Sequence, residues 1–310
     1  MRILVLGGGS FVGRTFVELA LTADHDLTLF SRGRTGTDLF PDVERCRGDR
    51  ATGDYAALDD GEWDAVVDVS GYVPRHVRQA ADALGDRIGR YLFVSTGSVY
   101  DVAKATGTID EDSPRLAPER DTEEITDTTY GPLKVACEDD VLTRYGERAT
   151  IVRPGVVAGP YDPTDRFTWW VRRAARGGRV ELPGRPDQPV QVVDSGDLAG
   201  LMLALLTEDR AGTYDAVGPA EPTTLDGLIR ACAAGAGTTV DVVPVDPDDM
   251  SSPLPLVLDD PSVDPLFRRT GAAARAAGMP TTPLPETAAA VLEWDHERGE
   301  PPLAGEPPPK

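Results

Sequence analysis

Residues 2–13 read RILVLGGGSFVG, and this stretch decides the fold. Arg2 to Leu6 is a mostly apolar run, typical of a strand that is buried on both faces of a parallel sheet. Three glycines follow at once, and the segment from Phe11 to Leu21 has the apolar spacing of an amphipathic helix. A strand that passes through glycines into a helix predicts a turn that a phosphate group can approach closely, because glycine carries no side chain.

The same alternation of apolar runs and helical patterns continues along the chain. Strands that alternate with helices at this spacing form right-handed βαβ units, so we predict an α/β fold with a doubly wound parallel sheet of the Rossmann type. The predicted strands are Leu27–Phe30, Val43–Arg47, Ala65–Val69, Tyr91–Val94, Ala149–Val152 and Gly212–Val217, and the predicted helices are His76–Leu84, Tyr130–Tyr145, Asp194–Leu206, Leu225–Ala234 and Glu286–Asp295.

The chain changes in character near residue 155, where glycine and proline become frequent. We therefore predict a Rossmann domain over 1–155, its sheet completed by 190–218, and a smaller C-terminal α+β substrate-binding region over 156–298. The polar stretch 101–129 is expected to be an insertion near a site. Residues 299–310 are proline-rich and are predicted to be a disordered tail.

Composition excludes several classes of protein. The 310 residues carry a formal net charge of −21, and a protein that binds nucleic acid or an anionic membrane needs a positive surface, so we expect neither partner. No apolar stretch approaches the ~20 residues of a membrane span, and the opening residues do not resemble a signal peptide, so a cytoplasmic location is expected. The expected oligomeric state is a monomer or a homodimer. The three cysteines and three histidines are scattered, which predicts no disulfide framework and no metal site.

The glycine turn is predicted to hold a pyrophosphate. Gly7 allows the tight turn after the strand, and Gly13 lets the helix pack closely on the sheet. Ser10 stands where glycine would be usual, so its hydroxyl can contact a phosphate while its side chain narrows the approach. Backbone N–H groups at the positive end of the helix complete the predicted cradle, which consists of Gly7, Gly9, Ser10, Phe11, Val12 and Gly13.

The end of the second predicted strand bears on the choice between NADP and NAD. An NAD site places an acidic residue there, whereas an NADP site places arginine near the 2′-phosphate. This chain has Ser31, Arg32 and Arg34 and no acid at the deciding position, so NADP is favoured, with NAD as the alternative if both arginines simply face solvent. The remaining predicted contacts are to adenine from Asp49, and to the adenine ribose from Val69, Ser70 and Gly71.

Three further residues form a candidate catalytic group. Tyr130 and Lys134 are four residues apart, so a helix places both side chains on one face. A nearby ammonium group can lower the pKa of a phenol, which prepares it for proton transfer near neutral pH. Thr96 follows a central predicted strand, at the edge of the sheet where ligands bind, and its hydroxyl can contact the same substrate oxygen. The Tyr-x-x-x-Lys pair alone is weak evidence, but its combination with the hydroxyl and the glycine turn favours catalysis.

These motifs together resemble the short-chain dehydrogenase/reductase superfamily, and more narrowly its extended or atypical branch, the NAD-dependent epimerase/dehydratase family. The resemblance reaches about residue 298 and rests on GGGSFVG (7–13), STGSVY (95–100), YGPLK (130–134) and RPG (153–155). It implies that Thr96, Tyr130 and Lys134 are the family's Ser/Thr–Tyr–Lys triad, and that Pro154 and Val156 lie beside the nicotinamide.

The sequence also departs from that family in two places that concern the substrate. Gly97 and Ser98 stand where the sugar dehydratases of this family have an adjacent Asp-Glu acid/base pair, so dehydration is the least expected of the family's reactions. The stretch RPGVVAGP (153–160) lacks the asparagine that is usual in nucleotide-sugar enzymes, which argues against a nucleotide-sugar substrate.

The leading functional hypothesis is an NADPH-dependent carbonyl reductase that acts on a small molecule. One alternative is an epimerase that works through transient oxidation, and another is a non-catalytic redox sensor that only binds the dinucleotide. Candidate substrate contacts are Tyr72, Ser98, Arg166 and Trp169; the alternative for the aromatic residues is that they are core residues that tie the two regions together.

Overall fold

The computed structural model describes residues 1–246, 254–258 and 260–304. Its strands are β1 (Arg2–Leu6), β2 (Asp26–Ser31), β3 (Glu44–Arg47), β4 (Trp63–Asp68), β5 (Ile88–Val94), β6 (Ala149–Pro154), β7 (Val156–Ala158), β8 (Gly178–Pro183), β9 (Pro189–Val190), β10 (Val192–Asp194), β11 (Gly212–Ala216), β12 (Thr223–Thr224) and β13 (Val240–Val245). Its α-helices are α1 (Phe11–Thr22), α2 (Pro74–Leu84), α3 (Tyr130–Tyr145), α4 (Arg166–Ala175), α5 (Ser195–Thr207), α6 (Leu225–Gly235), α7 (Ala272–Ala276) and α8 (Leu284–Glu297).

Seven strands form one parallel sheet in the order β11-β6-β5-β4-β1-β2-β3. Strands β1 and β4 lie at its centre, and every residue from Ile3 to Leu6 is fully buried, as the continuous apolar run predicts. The strand order reverses between β1 and β4, and this is the point where open α/β sheets bind ligands. The predicted α/β fold with a doubly wound parallel sheet is confirmed.

Helices cover both faces of this sheet, and each face has its own apolar core. On one face α1 and α5 pack together over the sheet through Phe16, Val17, Leu201 and Met202. On the other face α2 and α3 cover the sheet, and Tyr91 of β5 stacks on Tyr145 with their ring centroids 4.8 Å apart. Both faces of the central strands are therefore excluded from water, and the carboxyl ends of the strands remain the open edge.

The residues after β6 contribute to two structures. Strand β11 returns to the sheet and pairs in parallel with β6, from Gly212 opposite Thr150 to Ala216 opposite Pro154. A separate apolar cluster forms between α4, α6, α8 and the parallel pair of β8 and β13, with Phe167 and Trp170 fully buried inside it. The C-terminal part thus has a core of its own beside the carboxyl edge of the sheet.

The prediction of a disordered tail over 299–310 is wrong for its described part. Leu303 is only 4% exposed, and the Ala304 N–H donates a hydrogen bond to the Asp165 carboxylate over 3.1 Å. Asp165 is itself buried in a left-handed conformation before α4, and its charge needs partners, which Ala304 and the Arg298 guanidinium supply. Residues 305–310 lie outside the described residues.

The long segment 101–129 contains no helix or strand, as its sequence indicates, but it is anchored to α3. Arg115 forms ion pairs with Glu138 and Asp139, and Arg120 with Asp140, each over 2.9 Å. Ile109 in this segment is fully buried. In the described parts of the chain, no helix combines the length and the apolar character that crossing a membrane requires.

Candidate functional site

A cavity of about 720 Å³ opens at the carboxyl ends of β1, β4, β5 and β6. A second cavity of about 320 Å³ adjoins it at the ends of β2 and β3, and both are lined by Gly7, Ser10, Arg32, Ser70 and Tyr72. The two together form an elongated site that runs across the switch point of the sheet. This shape and position suit an extended ligand with two dissimilar ends.

The glycine turn between β1 and α1 has the close packing that its sequence predicts. Gly7 adopts a φ of 107°, which disfavours other residues, and a Cβ on Gly13 would lie 2.3 Å from the Gly7 carbonyl oxygen. Ser10 is the N-cap of α1 with an extended backbone, and its exposed side chain makes no capping hydrogen bond, so its hydroxyl is available to a ligand. Phe11, Val12 and Gly13 line the larger cavity, and Gly9 lines the smaller one.

The smaller cavity contains the arginines predicted to bind a 2′-phosphate. Arg32 and Arg34 are exposed at its wall, and neither forms an ion pair or a side-chain hydrogen bond with any described residue. Unpaired arginines are notable in a chain with 52 acidic residues, because most other arginines of the described chain have a carboxylate partner. Ser31, Asp49 and Ser70 line the same cavity.

A buried ion pair beneath this cavity was not predicted from the sequence. Arg50 donates two hydrogen bonds to Asp68, over 2.6 and 2.8 Å, and a third to the Ser70 hydroxyl over 2.9 Å. The Tyr91 hydroxyl also donates to Asp68, over 2.7 Å. Asp68 is fully buried, yet its pKa is lowered: the Arg50 guanidinium and its hydrogen bonds outweigh burial, which alone would raise it. The pair fixes Ser70, which in turn donates to the Leu6 carbonyl at the end of β1.

The structure brings Thr96, Tyr130 and Lys134 to the wall of the larger cavity. Thr96 lies just after β5, and its Oγ1 accepts a hydrogen bond from the Ser98 N–H over 3.2 Å. Tyr130 is the first residue of α3. Burial raises the pKa of the Tyr130 phenol, and hydrogen bonding to the Thr96 side chain opposes that rise. The two hydroxyl groups therefore face one reaction volume.

Lys134 lies one turn further along α3 and is 3% exposed. Its Nζ donates to the carbonyl oxygens of Gly71 and Val94, each over 2.8 Å, and lies 4.0 Å from the centre of the Phe93 ring. Burial lowers the pKa of this ammonium group to about 8. An ammonium group has three N–H donors, so one remains for a ligand.

The expectation that the Lys134 ammonium lowers the pKa of Tyr130 stays a prediction, because it applies to the complex with an oxidised nicotinamide. In the structure, burial is the largest influence on the Tyr130 phenol and raises its pKa, while the Lys134 Nζ donates to two backbone carbonyl oxygens. The phenol of Tyr130 therefore keeps its proton at neutral pH.

The candidate substrate residues do not all reach the cavity. Tyr72, Ser98 and Arg166 line it, as do Pro154, Val156 and Val69. Trp169 does not: it sits on the side of α4 that faces the C-terminal core, and its ring contacts that of Trp170 with centroids 4.7 Å apart. The predicted substrate contact at Trp169 is therefore wrong. Helix α4 begins with Arg166 at the cavity, and its helical repeat directs the Trp169 side chain toward the C-terminal core. Gly71 is buried, and its carbonyl oxygen accepts the hydrogen bond from the Lys134 Nζ.

Two other lining residues were missed by sequence analysis. Arg269 and Gln191 come from the C-terminal part of the chain and line the same cavity as Tyr130. Neither belongs to a motif, and only the fold brings them near β5 and β6. In the described residues, no group of three or more histidines, cysteines or carboxylates is placed to hold a metal ion.

Comparison with known proteins gives a family and a set of similar folds. A model of the NAD dependent epimerase/dehydratase family matches residues 3–217. A curated relative, the chloroplast stem-loop binding protein of 41 kDa b from Arabidopsis thaliana, is 25% identical over 255 residues, which are 76% of this chain and 63% of that protein. The chain therefore spans less than two thirds of the length of that relative.

Solved structures share the fold over almost the whole chain. A dTDP-glucose 4,6-dehydratase from Bacillus anthracis, in complex with NAD, has a TM-score of 0.69 at 17% identity and covers 97% of this chain and 98% of its own. RMD from Pseudomonas aeruginosa, complexed with NADPH, has a TM-score of 0.66 at 23% identity and covers 95% of this chain and 99% of its own. At these identities the likeness concerns the fold.

Proposed function

Because the chain belongs to the NAD dependent epimerase/dehydratase family of NAD(P)-dependent enzymes, we propose that it is an NADPH-dependent reductase of a small carbonyl compound. The observation that carries this proposal is the convergence of Thr96, Tyr130 and Lys134 on one cavity that begins at the glycine turn. The lining comes from three separate segments, which follow β1, follow β5 and begin α3, and it is the fold that brings them together at one cavity.

The residues at the site fit a nicotinamide dinucleotide. The backbone around Gly9 and Gly13 leaves no room for side chains, so the helix end can approach a pyrophosphate, and the uncapped Ser10 hydroxyl points to the same place. Arg32 and Arg34 supply unpaired positive charge for a 2′-phosphate, and this charge supports NADP over NAD. Lys134 retains one N–H donor for the ribose on the nicotinamide side.

A reduced nicotinamide bound in this cavity would supply the hydride that the carbonyl carbon accepts. Thr96 donates a hydrogen bond to the carbonyl oxygen and holds it against Tyr130. As negative charge develops on that oxygen, the Tyr130 phenol transfers its proton to it, so the product is an alcohol. The raised pKa of Tyr130 keeps the proton in place until then. The Lys134 ammonium, held by the Gly71 and Val94 carbonyls, lies one helical turn away and stabilises the phenolate that remains.

The test is the oxidation of NADPH by a panel of carbonyl compounds, with wild type and a Tyr130→Phe variant. Loss of a positioned proton donor typically costs about 10²–10⁴ in turnover, and we expect kcat to fall by that factor while NADPH still raises the Tm. Tyr214→Phe is the matched control, because Tyr214 bonds only the Ala211 carbonyl and lies outside both cavities. Unchanged turnover in Tyr130→Phe would contradict the proposed role.

The cofactor preference has its own test. An Arg32→Ala variant should lose affinity for NADPH while its affinity for NADH is unchanged, because only NADPH carries the 2′-phosphate. A hydrogen bond to a charged group contributes about 1.5–3 kcal/mol, and the exposure of Arg32 favours the lower value, so we expect the NADPH Kd to rise roughly tenfold. Arg176→Ala, outside both cavities, is the control. Equal weakening of both dinucleotides would contradict a contact between Arg32 and the 2′-phosphate.

Epimerisation through transient oxidation is a second candidate, and the family's name favours it. It uses the same three residues but regenerates its cofactor. Purification with tightly held dinucleotide, together with substrate conversion that consumes no NADPH, would support the epimerase and exclude net reduction. Stem-loop binding, which the name of the chloroplast relative states for that protein, is not proposed here, because a net charge of −21 opposes binding to a nucleic-acid backbone.

A further inference from the structure

Arg269 is a buried arginine in the wall of the larger cavity. It follows the 3₁₀ turn Pro261–Phe267, far from the triad in sequence, and is 4% exposed. A Cβ added to Gly97 would lie 2.5 Å from its Cζ and Nη2 atoms, and one added to Gly155 would lie 3.4 Å from Nη2. Glycine at both positions thus makes room for the guanidinium group. Gly97 directly follows Thr96, so the guanidinium group packs against the residue next to the proposed substrate-binding hydroxyl.

The hydrogen bonds of Arg269 leave one side of the guanidinium unused. Nη1 donates to Asp215 over 2.7 Å and to the Arg153 carbonyl over 3.1 Å, and Nε donates to the Leu266 carbonyl over 3.3 Å. Nη2 has no hydrogen-bond partner among the described residues, although it belongs to a residue that lines the cavity. Two N–H groups therefore remain for a ligand.

Hydrogen bonds hold the backbone of Arg269, and an ion pair holds its guanidinium group. The Gln191 side chain accepts from the Arg269 N–H over 3.0 Å and donates to its carbonyl over 2.7 Å. Asp215, the ion-pair partner, also accepts from the Tyr100 hydroxyl over 3.0 Å, and that hydroxyl accepts from Arg153 over 2.9 Å. Such a network holds the guanidinium in one orientation, so a ligand that binds Nη2 does not have to order it first.

The charge around this cavity has one sign. Its lining residues include Arg32, Lys134, Arg166 and Arg269, and no aspartate or glutamate is among its described lining residues, in a chain with 52 acidic side chains. Arg32 stands at the end proposed for the 2′-phosphate, whereas Arg166 and Arg269 come from the C-terminal part, on the side proposed for substrate. Arg166 lines the same cavity as Tyr130, and its positive charge opposes the rise in the pKa of the Tyr130 phenol.

We propose that the substrate is an oxo acid, whose carboxylate is bound by Arg269 Nη2 and by Arg166 while its ketone lies between Thr96 and Tyr130. Because Arg269 packs against Gly97, next to Thr96, and lines the same cavity, we expect the carboxylate to lie close to the ketone, as in a 2-oxo or a 3-oxo acid. A neutral ketone or aldehyde would leave both arginine donors without an acceptor and is a poorer substrate. This inference rests on the proposed carbonyl reduction and specifies its substrate class.

The test compares 2-oxo and 3-oxo acids with their methyl esters as substrates of the wild-type enzyme and NADPH. Removal of the charge should lower kcat/KM at least tenfold. In Arg166→Gln, whose parent side chain is exposed and bonds only Thr164, the ratio of kcat/KM for an acid to kcat/KM for its ester should fall toward one through a higher KM for the acids. Arg230→Gln, an exposed arginine paired with Asp226 away from the cavity, should keep the full ratio.

Arg269→Gln alone leaves the Asp215 carboxylate unpaired, so the informative variant is Arg269→Gln with Asp215→Asn, which keeps two hydrogen-bonding neutral groups in place. It should lose the preference for acids while NADPH still raises its Tm.

Esters reduced as well as acids, or oxo phosphates preferred over oxo acids, would overturn the inference and leave carbonyl reduction standing. If no carbonyl compound oxidises NADPH, carbonyl reduction fails by itself. The inference is then judged by whether oxo acids, and not their esters, raise the Tm of the NADPH-bound wild type and fail to do so in Arg166→Gln.

Discussion

Lys134 is a buried lysine whose charge changes within the pH range in which enzymes work. Its pKa is lowered to about 8 by burial, so the group is an ammonium ion below that pH and a neutral amine above it. Only the ammonium form can stabilise a phenolate at Tyr130. Because the pKa of Tyr130 is raised, the phenol keeps its proton throughout the same range and does not itself limit the reaction.

We therefore expect kcat/KM for NADPH-dependent reduction to be constant at neutral pH and to fall above pH 8, with the loss of one proton. The measurement is a pH profile under conditions where the far-ultraviolet circular dichroism does not change. Lys134→Arg cannot deprotonate in this range, so its lower activity should no longer fall above pH 8. A wild-type profile that stays level well above pH 8 would show that the ammonium charge is not needed.

Residue patterns predicted the triad but not Arg269, for a physical reason. Tyr130 and Lys134 are related by the helical repeat, and Thr96 by its place after a strand, so local geometry already brings them toward one edge of the sheet. Arg269 reaches that edge through tertiary contacts with Gln191, Asp215 and the space beside Gly97. No local spacing encodes such contacts. Trp169 is the opposite case. Its sequence position near Arg166 suggested a place in the site, but the packing of α4 directs its side chain into the C-terminal core.

Among the elements, α3 links Tyr130 and Lys134 to a buried ion-pair network. Glu138, four residues after Lys134, is fully buried and forms hydrogen bonds to Arg153 over 2.9 and 2.8 Å and to Arg115 over 2.9 Å. Arg153 belongs to β6 and is also buried, so this helix is held to the sheet by charges that water cannot screen. The network fixes the register of α3 on the sheet.

A Glu138→Gln variant should lose about 3–5 kcal/mol of unfolding free energy, because it leaves the Arg153 guanidinium buried without a counter-charge. The measurement is urea denaturation followed by circular dichroism. Asp140→Asn on the same helix removes ion pairs with the more exposed Arg78 and Arg120 and should cost less than about 1 kcal/mol. Equal effects of the two substitutions would mean that the buried pair contributes no more than the surface pairs.

At the level of elements the sequence was informative where a periodic pattern filled the whole element. The predicted helix Tyr130–Tyr145 has the observed bounds, and β11 is predicted to within one residue. The second helix begins at Pro74 rather than His76, because proline suits the first turn, where its missing N–H is not needed. The tail was mispredicted since composition favours disorder, whereas Leu303 and Ala304 find partners that only the fold provides.

For the molecule as a whole, net charge is the dominant electrostatic property. A charge of −21 on a compact chain is self-repulsive and destabilises the folded state. Added salt screens that repulsion, with a Debye length that falls from about 30 Å at 0.01 M to about 10 Å at 0.1 M. The buried pairs of Arg50 with Asp68 and of Arg153 with Glu138 are shielded from salt and should not weaken in parallel.

We therefore expect the Tm at pH 7 to rise by several degrees between about 0.01 and 0.5 M NaCl, measured by differential scanning calorimetry. The rise should shrink at pH 5, close to the sequence pI of about 4.5, because the surface carboxylates begin to take up protons and the net charge falls. A Tm that is independent of salt, or that falls, would mean that surface ion pairs outweigh the repulsion.

The return of β11 to the sheet determines how this protein can be dissected. A fragment ending at residue 155 would keep the glycine turn, Thr96, Tyr130 and Lys134, yet β6 would become an open edge. It would also lack α5, so the apolar side chains that α1 shares with it would be bare. Exposed edges and apolar faces promote aggregation. Engineering that treats the N-terminal half as a portable module must therefore graft residues 195–216 along with it.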